Sequence, residues 1–465
     1  MHAPPPPPSA AANRDRRLIL ATTILTNLLG NMGITGLNLG LPGMERELGL
    51  SAVMLAWVPL SLVLSMAVSA APGARLSDIL GRRRVTLAAL AAATLGFVIS
   101  ALAGGAWTLL AGRALSGLGL ALTFTNLTAL VTSVYPPQER GLVLGYSISA
   151  VYIGLSLGPA LCGFLVSQFG WRSIFWYSAL SYLPSLVLIR LVRLEQRPAR
   201  GEAFDVYGAV LWGLSIAALF WGFSAITRPP GPVSAVLGLI LGYVYVLRSL
   251  KTAQPILEVR LFKNRRFAFS SLAAFIGYSA STGLGLILSL YLQYNKGLSA
   301  IQAGLLLTVQ PLCQALLTPF AGRLSDRLDP GLMASAGMAV LGAGIAALAF
   351  FLTPATSTPA FLVLLICVGL GFATFSAPNS NAIIGSAPPD KIGQASGTIT
   401  ATRLCGQTFS LALTTLIFSL VIGHGQLTID RYPDFMKAAT ACFAVFASLC
   451  LAGVAASLAR GRSPA

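Results

Sequence analysis

Apolar runs of about twenty residues recur from Leu18 to the C-terminus, separated by short clusters of Gly, Pro, Arg and acidic residues. A hydrocarbon core needs about twenty residues per helix, so this repetition reads as a chain that crosses a bilayer many times. The runs are continuously apolar, whereas lipid-facing barrel strands alternate every second residue, so helices are the spanning element. Composition agrees: 55% of the 465 residues are hydrophobic and only 10% charged, more apolar surface than a soluble fold of this size covers.

The pattern predicts fourteen spans: 18–41, 52–73, 85–104, 107–130, 141–165, 172–194, 206–226, 232–250, 267–292, 303–321, 331–353, 359–385, 394–420 and 436–459. Residues 1–17, with Pro4 to Pro8 in a row, read as a disordered tail. The first span is flanked by Arg14, Arg16 and Arg17 like a signal peptide, but its length and the lack of a cleavage site make it a retained anchor.

Lys and Arg set the orientation. With both termini on one side, the loops of that side hold 23 of the 31 basic residues and the other side holds six. Both termini are therefore expected in the cytoplasm, in an inner (plasma) membrane. The net charge of +17 is accounted for by this bias, which leaves no nucleic-acid role to explain. Cys162, Cys313, Cys367, Cys405, Cys442 and Cys450 fall in or near the spans without metal-type spacing, and only His2 and His424 are present. No metal, no cofactor and no enzyme chemistry is expected.

An internal repeat sets the architecture. Ala74-Arg75-Leu76-Ser77-Asp78 returns as Gly322-Arg323-Leu324-Ser325-Asp326, 248 residues later. The expected fold class is an all-α integral membrane protein of two pseudo-symmetric six-helix bundles, 18–194 and 267–459. Two extra helices lie in a linker, 195–266, and a short tail, 460–465, ends the chain.

At these residues the chain resembles the major facilitator superfamily. Leu76-Ser77-Asp78-Ile79-Leu80-Gly81-Arg82-Arg83-Arg84 is similar to its cytoplasmic loop signature between helices 2 and 3. Gly154-Leu155-Ser156-Leu157-Gly158-Pro159-Ala160-Leu161-Cys162-Gly163 resembles the helix 5 motif of the exporter branches. Phe204-Asp205, Gln254-Pro255-Ile256-Leu257 and Tyr291-Leu292-Gln293 resemble the fourteen-helix drug/proton antiporters. The resemblance implies transport by alternating access. It also implies a cytoplasmic latch of Asp78, Arg82, Arg83, Arg323 and Asp326, and close helix packing at Gly154, Gly158, Pro159 and Gly163. Where that branch carries an aspartate in helix 1, this chain has Gly33.

The embedded charge is basic instead. Arg113 matches the family's helix 4 arginine and lies about 9 Å inside one helix end, and Arg403 lies about 14 Å inside another. Because an unpaired charge near the bilayer centre costs about 2.5 kcal/mol or more, both are expected to face a water-filled cavity or a polar partner. Asn27, Asn31, Thr35 and Asn38 share one face of helix 1, and Gln310, Gln314 and Asn379 are further cavity candidates. The leading functional expectation is multidrug-efflux-like export of small amphipathic compounds, in partnership with the bilayer and with protons if transport is coupled. Transport of an organic anion or siderophore-like metabolite, uncoupled facilitation, and a transport-dead sensor or assembly partner are the alternatives. Oligomeric state is not specified.

Overall fold

The computed structural model describes residues 10–460 apart from 253, 326, 389, 390 and 424. Residues 1–9 of the expected tail, 461–465, both histidines and Asp326 lie outside that set. Fourteen helices are long and apolar enough to span, and no strand occurs among the described residues. They are α1 (Asn13–Leu48), α2 (Ala52–Leu80), α3 (Arg82–Ala101), α4 (Ala106–Val134) and α5 (Glu139–Phe169). Next come α6 (Arg172–Leu191), α7 (Val206–Ser224), α8 (Pro230–Lys251), α9 (Arg265–Asn295) and α10 (Ala300–Ser325). The last are α11 (Pro330–Phe351), α12 (Thr358–Gly385), α13 (Gln394–Val421) and α14 (Ile429–Ala459).

Polar residues at the edges of the apolar runs set several boundaries. The side chains of Ser51, Asp205, Asn264, Asp329 and Ser357 accept bonds from the first backbone N–H groups of α2, α7, α9, α11 and α12. Ser299 and Gln302 form a capping box that opens α10. Two expectations at α1 need correction. Helix already runs from Ala10, so residues 10–17 are not an irregular tail. At the other end a 3-10 turn at Leu37–Gly40 leads into a further helical segment, Leu41–Leu48, carrying Glu45 inside the fold. Pro42 stands in the first turn of that segment, where its missing N–H costs nothing.

Helices α1–α6 pack chiefly on one another, as do α9–α14. The same device closes both groups: α3 meets α4 where Gly96 and Gly112 let backbones touch, and α11 meets α12 where Gly337 and Gly371 do so. The groups meet along two seams, α2 on α13 and α5 on α10. Helix α7 lies over the first seam. Trp212 Nε1 donates to the Ala67 carbonyl of α2 at 3.2 Å, while Phe220 and Phe223 pack on Phe409 of α13. Helix α8 packs mainly on α7 and leaves most of its surface to the surroundings.

Candidate functional site

The described start of α1 and the described end of α14 lie on one face, fourteen spans apart, and the two groups of helices are joined at the opposite one. Among the described residues, every hydrogen bond between α1–α6 and α9–α14 lies in that far half. Ser289 Oγ donates to the Asn38 carbonyl at 2.9 Å, Leu427 N–H to Glu45 Oε1 at 2.6 Å, and Tyr294 Oη–H to Glu45 Oε2. Ala52 N–H donates to the Gly425 carbonyl at 3.0 Å, and Ile301 N–H to Ser167 Oγ at 3.2 Å. The α5–α10 seam is closed by contact of backbones. A Cβ on Gly304 would lie 2.2 Å from the Pro159 carbonyl, and one on Gly163 would lie 2.6 Å from the Ala300 carbonyl. Gly154 and Gly158 instead seat α5 on α1, with Thr35 Oγ1 filling the space over Gly158. The exporter-like motif thus divides between packing inside one group and packing across the seam.

Toward the terminal side of this closure stands Arg403. Its side chain is exposed about a third of the way along α13, beside the Tyr278 phenol of α9, with Tyr152 of α5 approaching Tyr278 from the other group. Tyr278 packs edge-on against Phe372, 5.4 Å between centroids, and Phe372 continues to Phe375. Gln310 and Gln314 of α10 are half-buried, and among the described residues no hydrogen bond holds their side chains. Among the described residues no carboxylate pairs with Arg403 or Arg113.

The other candidates lie elsewhere. Arg113 is only 2% exposed, deep among α2, α4 and α6, where its Nε donates to the Val58 carbonyl at 3.3 Å and its guanidinium lies over the Phe175 ring. That removes it from an open cavity. A π face and a carbonyl dipole hold the cation, the polar partner that its depth demands. Asn27 is buried and donates to the Ser147 carbonyl of α5, Asn31 donates to the Asn27 carbonyl, and Thr35 to the Asn31 carbonyl. This stripe bonds α1 to itself and to α5, and only Asn38 reaches the other group. Asn379 is also buried, donating to the Ser270 carbonyl and accepting from Arg460 near the terminal face.

The signature loop ties the first six helices to the segment after α6. Arg82 Nε donates to Asp78 at 2.8 Å and its Nη1 to the Ala129 carbonyl. Arg83 donates to the Ile189 and Arg190 carbonyls, left open at the end of α6, and its N–H bonds Glu195. Arg75 bonds Glu202 and Gln254. These bonds stop at the linker and do not reach α9–α14. Arg323, in the second copy, is exposed.

Position 33 has no room for the aspartate that the resembling branch carries there. A Cβ there would lie 2.4 Å from Ser178 Oγ of α6, and one on Gly30 would lie 2.2 Å from Tyr182 Oη. Gly33→Asp is therefore expected to lower stability by about 1–3 kcal/mol through overpacking, read as a fall in melting temperature in detergent. Ser178→Gly in the same chain should recover much of the loss. An unchanged melting temperature for Gly33→Asp alone would contradict the contact.

The sequence model of the Major Facilitator Superfamily matches residues 23–266 and 267–465. The chain is 28% identical to the multidrug resistance protein Stp of Mycobacterium tuberculosis (strain CDC 1551 / Oshkosh), over 81% of this chain and 71% of that one. It is 23% identical to the riboflavin transporter RibZ of Clostridioides difficile (strain 630), covering 90% and 91%. Its fold matches that of a bacterial homologue of the human lysosomal transporter Spinster with a TM-score of 0.69, at 18% identity over 97% and 99% of the two chains. With the family matched across nearly the whole chain, onto fourteen membrane-capable helices in two packed groups, the protein is a multi-pass membrane transporter and belongs to the Major Facilitator Superfamily.

Proposed function

We propose that the protein is a secondary transporter of small amphipathic compounds, exporting them by alternating access between the units 18–194 and 267–459, with residues 195–266 riding alongside. In this reading the basic terminal face is cytoplasmic, the membrane is the inner one, and the far-side contacts are a closed outer gate. Relatives named for multidrug resistance support efflux.

The observation that carries the reading is Arg403, exposed about a third of the way along α13 beside Tyr278, whose ring packs on Phe372, with no carboxylate paired with it among the described residues. A cation beside a tyrosine phenol and next to packed aromatic rings, in a low-dielectric gap, attracts anionic or neutral aromatic ligands and repels cations. Organic-anion transport is the second reading, favoured by the same residue. Flux in proteoliposomes under imposed pH and voltage gradients tests both, with carboxyfluorescein, riboflavin and ethidium as anionic, neutral and cationic probes. Arg403→Gln should reduce anion flux about tenfold, as expected when an interaction of about 1.4 kcal/mol is lost, and neutral flux much less. Strong ethidium efflux that ignores Arg403→Gln would overturn the positively charged site.

A further inference from the structure

Glu45 belongs to neither the signature loop nor the surroundings of Arg403. Its side chain is 4% exposed at the far end of α1, and both oxygens are taken by the other group of helices: one by Tyr294 Oη–H of α9, one by Leu427 N–H of the α13–α14 loop. No cation forms a salt bridge with it among the described residues; neighbouring Arg46 is exposed, and Arg172 pairs with Glu47. A carboxylate without a counter-ion tolerates burial only while donors satisfy it, and hydrogen bonds to a charged acceptor are the stronger kind. Both donors come from across the gate, so they are present only when the gate is shut. Separating α1 from α9 would return the carboxylate to water and break both bonds at once.

We propose that Glu45 is the bolt of the outer gate, a positioning residue that sets the balance between outward-closed and outward-open states. The other cross-gate bonds use backbone groups or hydroxyls. Glu45 alone among them joins α1 to two separate elements of the opposite unit through one charged side chain. The assignment rests on the alternating-access reading. It adds a role in that cycle for a residue lying beyond the apolar stretch of the first helix.

The test uses the full-length protein in proteoliposomes, spin-labelled at Gly104→Cys and Ala355→Cys on the far-side turns, with exposed Cys367 replaced by serine. Wild type should show mainly the short, closed distance. Glu45→Ala should shift the closed-to-open ratio about tenfold or more toward the long distance, the size expected for a lost charge-assisted bond. Tyr294→Phe keeps the ring packed on Tyr432 and removes one donor; it should shift the ratio in the same direction, and adding it to Glu45→Ala should change nothing more. Riboflavin offered from outside should then show a lower KM, and riboflavin offered from inside a higher one. A role in stability alone would lower flux equally from both sides and leave the distances unmoved, which would overturn the bolt. If Glu45→Ala does not fold, the distances and sided KM of Tyr294→Phe decide the matter alone. Wild-type protein that moves none of the probes would count against the transport reading instead, because the distance measurement does not depend on flux.

Discussion

Gly304→Leu is expected to reduce flux about a hundredfold while leaving the protein folded and able to bind substrate from outside. The site of a Cβ on Gly304 is 2.2 Å from the Pro159 carbonyl, and that oxygen belongs to a helix backbone that cannot rotate away like a side chain. In the alternating-access reading, the outward-open state separates these helices and gives leucine room, whereas the closed contact does not. A penalty of about 3 kcal/mol on one state alone moves a two-state balance by about a hundredfold. Gly285→Ala is the control, since its Cβ would meet Asn38 Nδ2 at 3.4 Å, an ordinary contact, and its flux should stay near wild type. Flux of Gly304→Leu within a factor of two of wild type would show that the α5–α10 seam does not open during transport.

The second large effect is expected at the turn between α2 and α3. Gly81 has φ of 118° and ψ of 126°, a conformation that side chains resist, and a Cβ there would press 2.4 Å from Glu195 Oε1. Glu195 can swing aside only by giving up the Arg83 N–H and its pairing with Arg84. Gly81→Ala should therefore cost about 2–4 kcal/mol, backbone strain plus a lost charge-assisted bond. Denaturation in detergent, followed by circular dichroism, measures the loss. Glu195→Ala alone should cost less, because it removes the bond without the strain. Equal losses for the two variants would mean that the backbone at position 81 carries no special demand.

The spans were legible in the amino-acid sequence because each must be apolar over about twenty residues whatever it packs against. The end of α1 was not. Pro42 followed by Glu45-Arg46-Glu47 has the composition of a loop, yet Pro42 starts a further helical segment and Glu45 turns into the protein. Only the Glu45 and Leu48 edge of that short segment, continuing the side of Leu41 and Met44, hinted that it was amphipathic. Depth along a helix follows from counting residues, but direction around it does not. Hence Arg113 and Arg403, both at embedded positions, end in opposite settings: one inside a bundle over Phe175, the other exposed beside Tyr278. Asn27 and Asn379 illustrate the same limit. Asparagine bonds a neighbouring helix as readily as it lines a water-filled gap, and in both cases the neighbour wins.

The α7–α8 hairpin touches both units, and its two attachments are of different mechanical kinds. Toward α2 the grip is directional: Trp212 donates to one particular carbonyl, and any sliding breaks the bond. Toward α13 it is mostly ring against ring, Phe220 and Phe223 on Phe409, and such surfaces trade one contact for another with little loss. The exception is a hydroxyl pair at the outer edge, Thr227 and Ser419, where water can replace either partner. A hairpin fastened on one side and lubricated on the other behaves as a sleeve. In the alternating-access reading it would travel with the first unit, keep lipid tails out of the α2–α13 seam as the second unit tilts, and add little friction to the stroke.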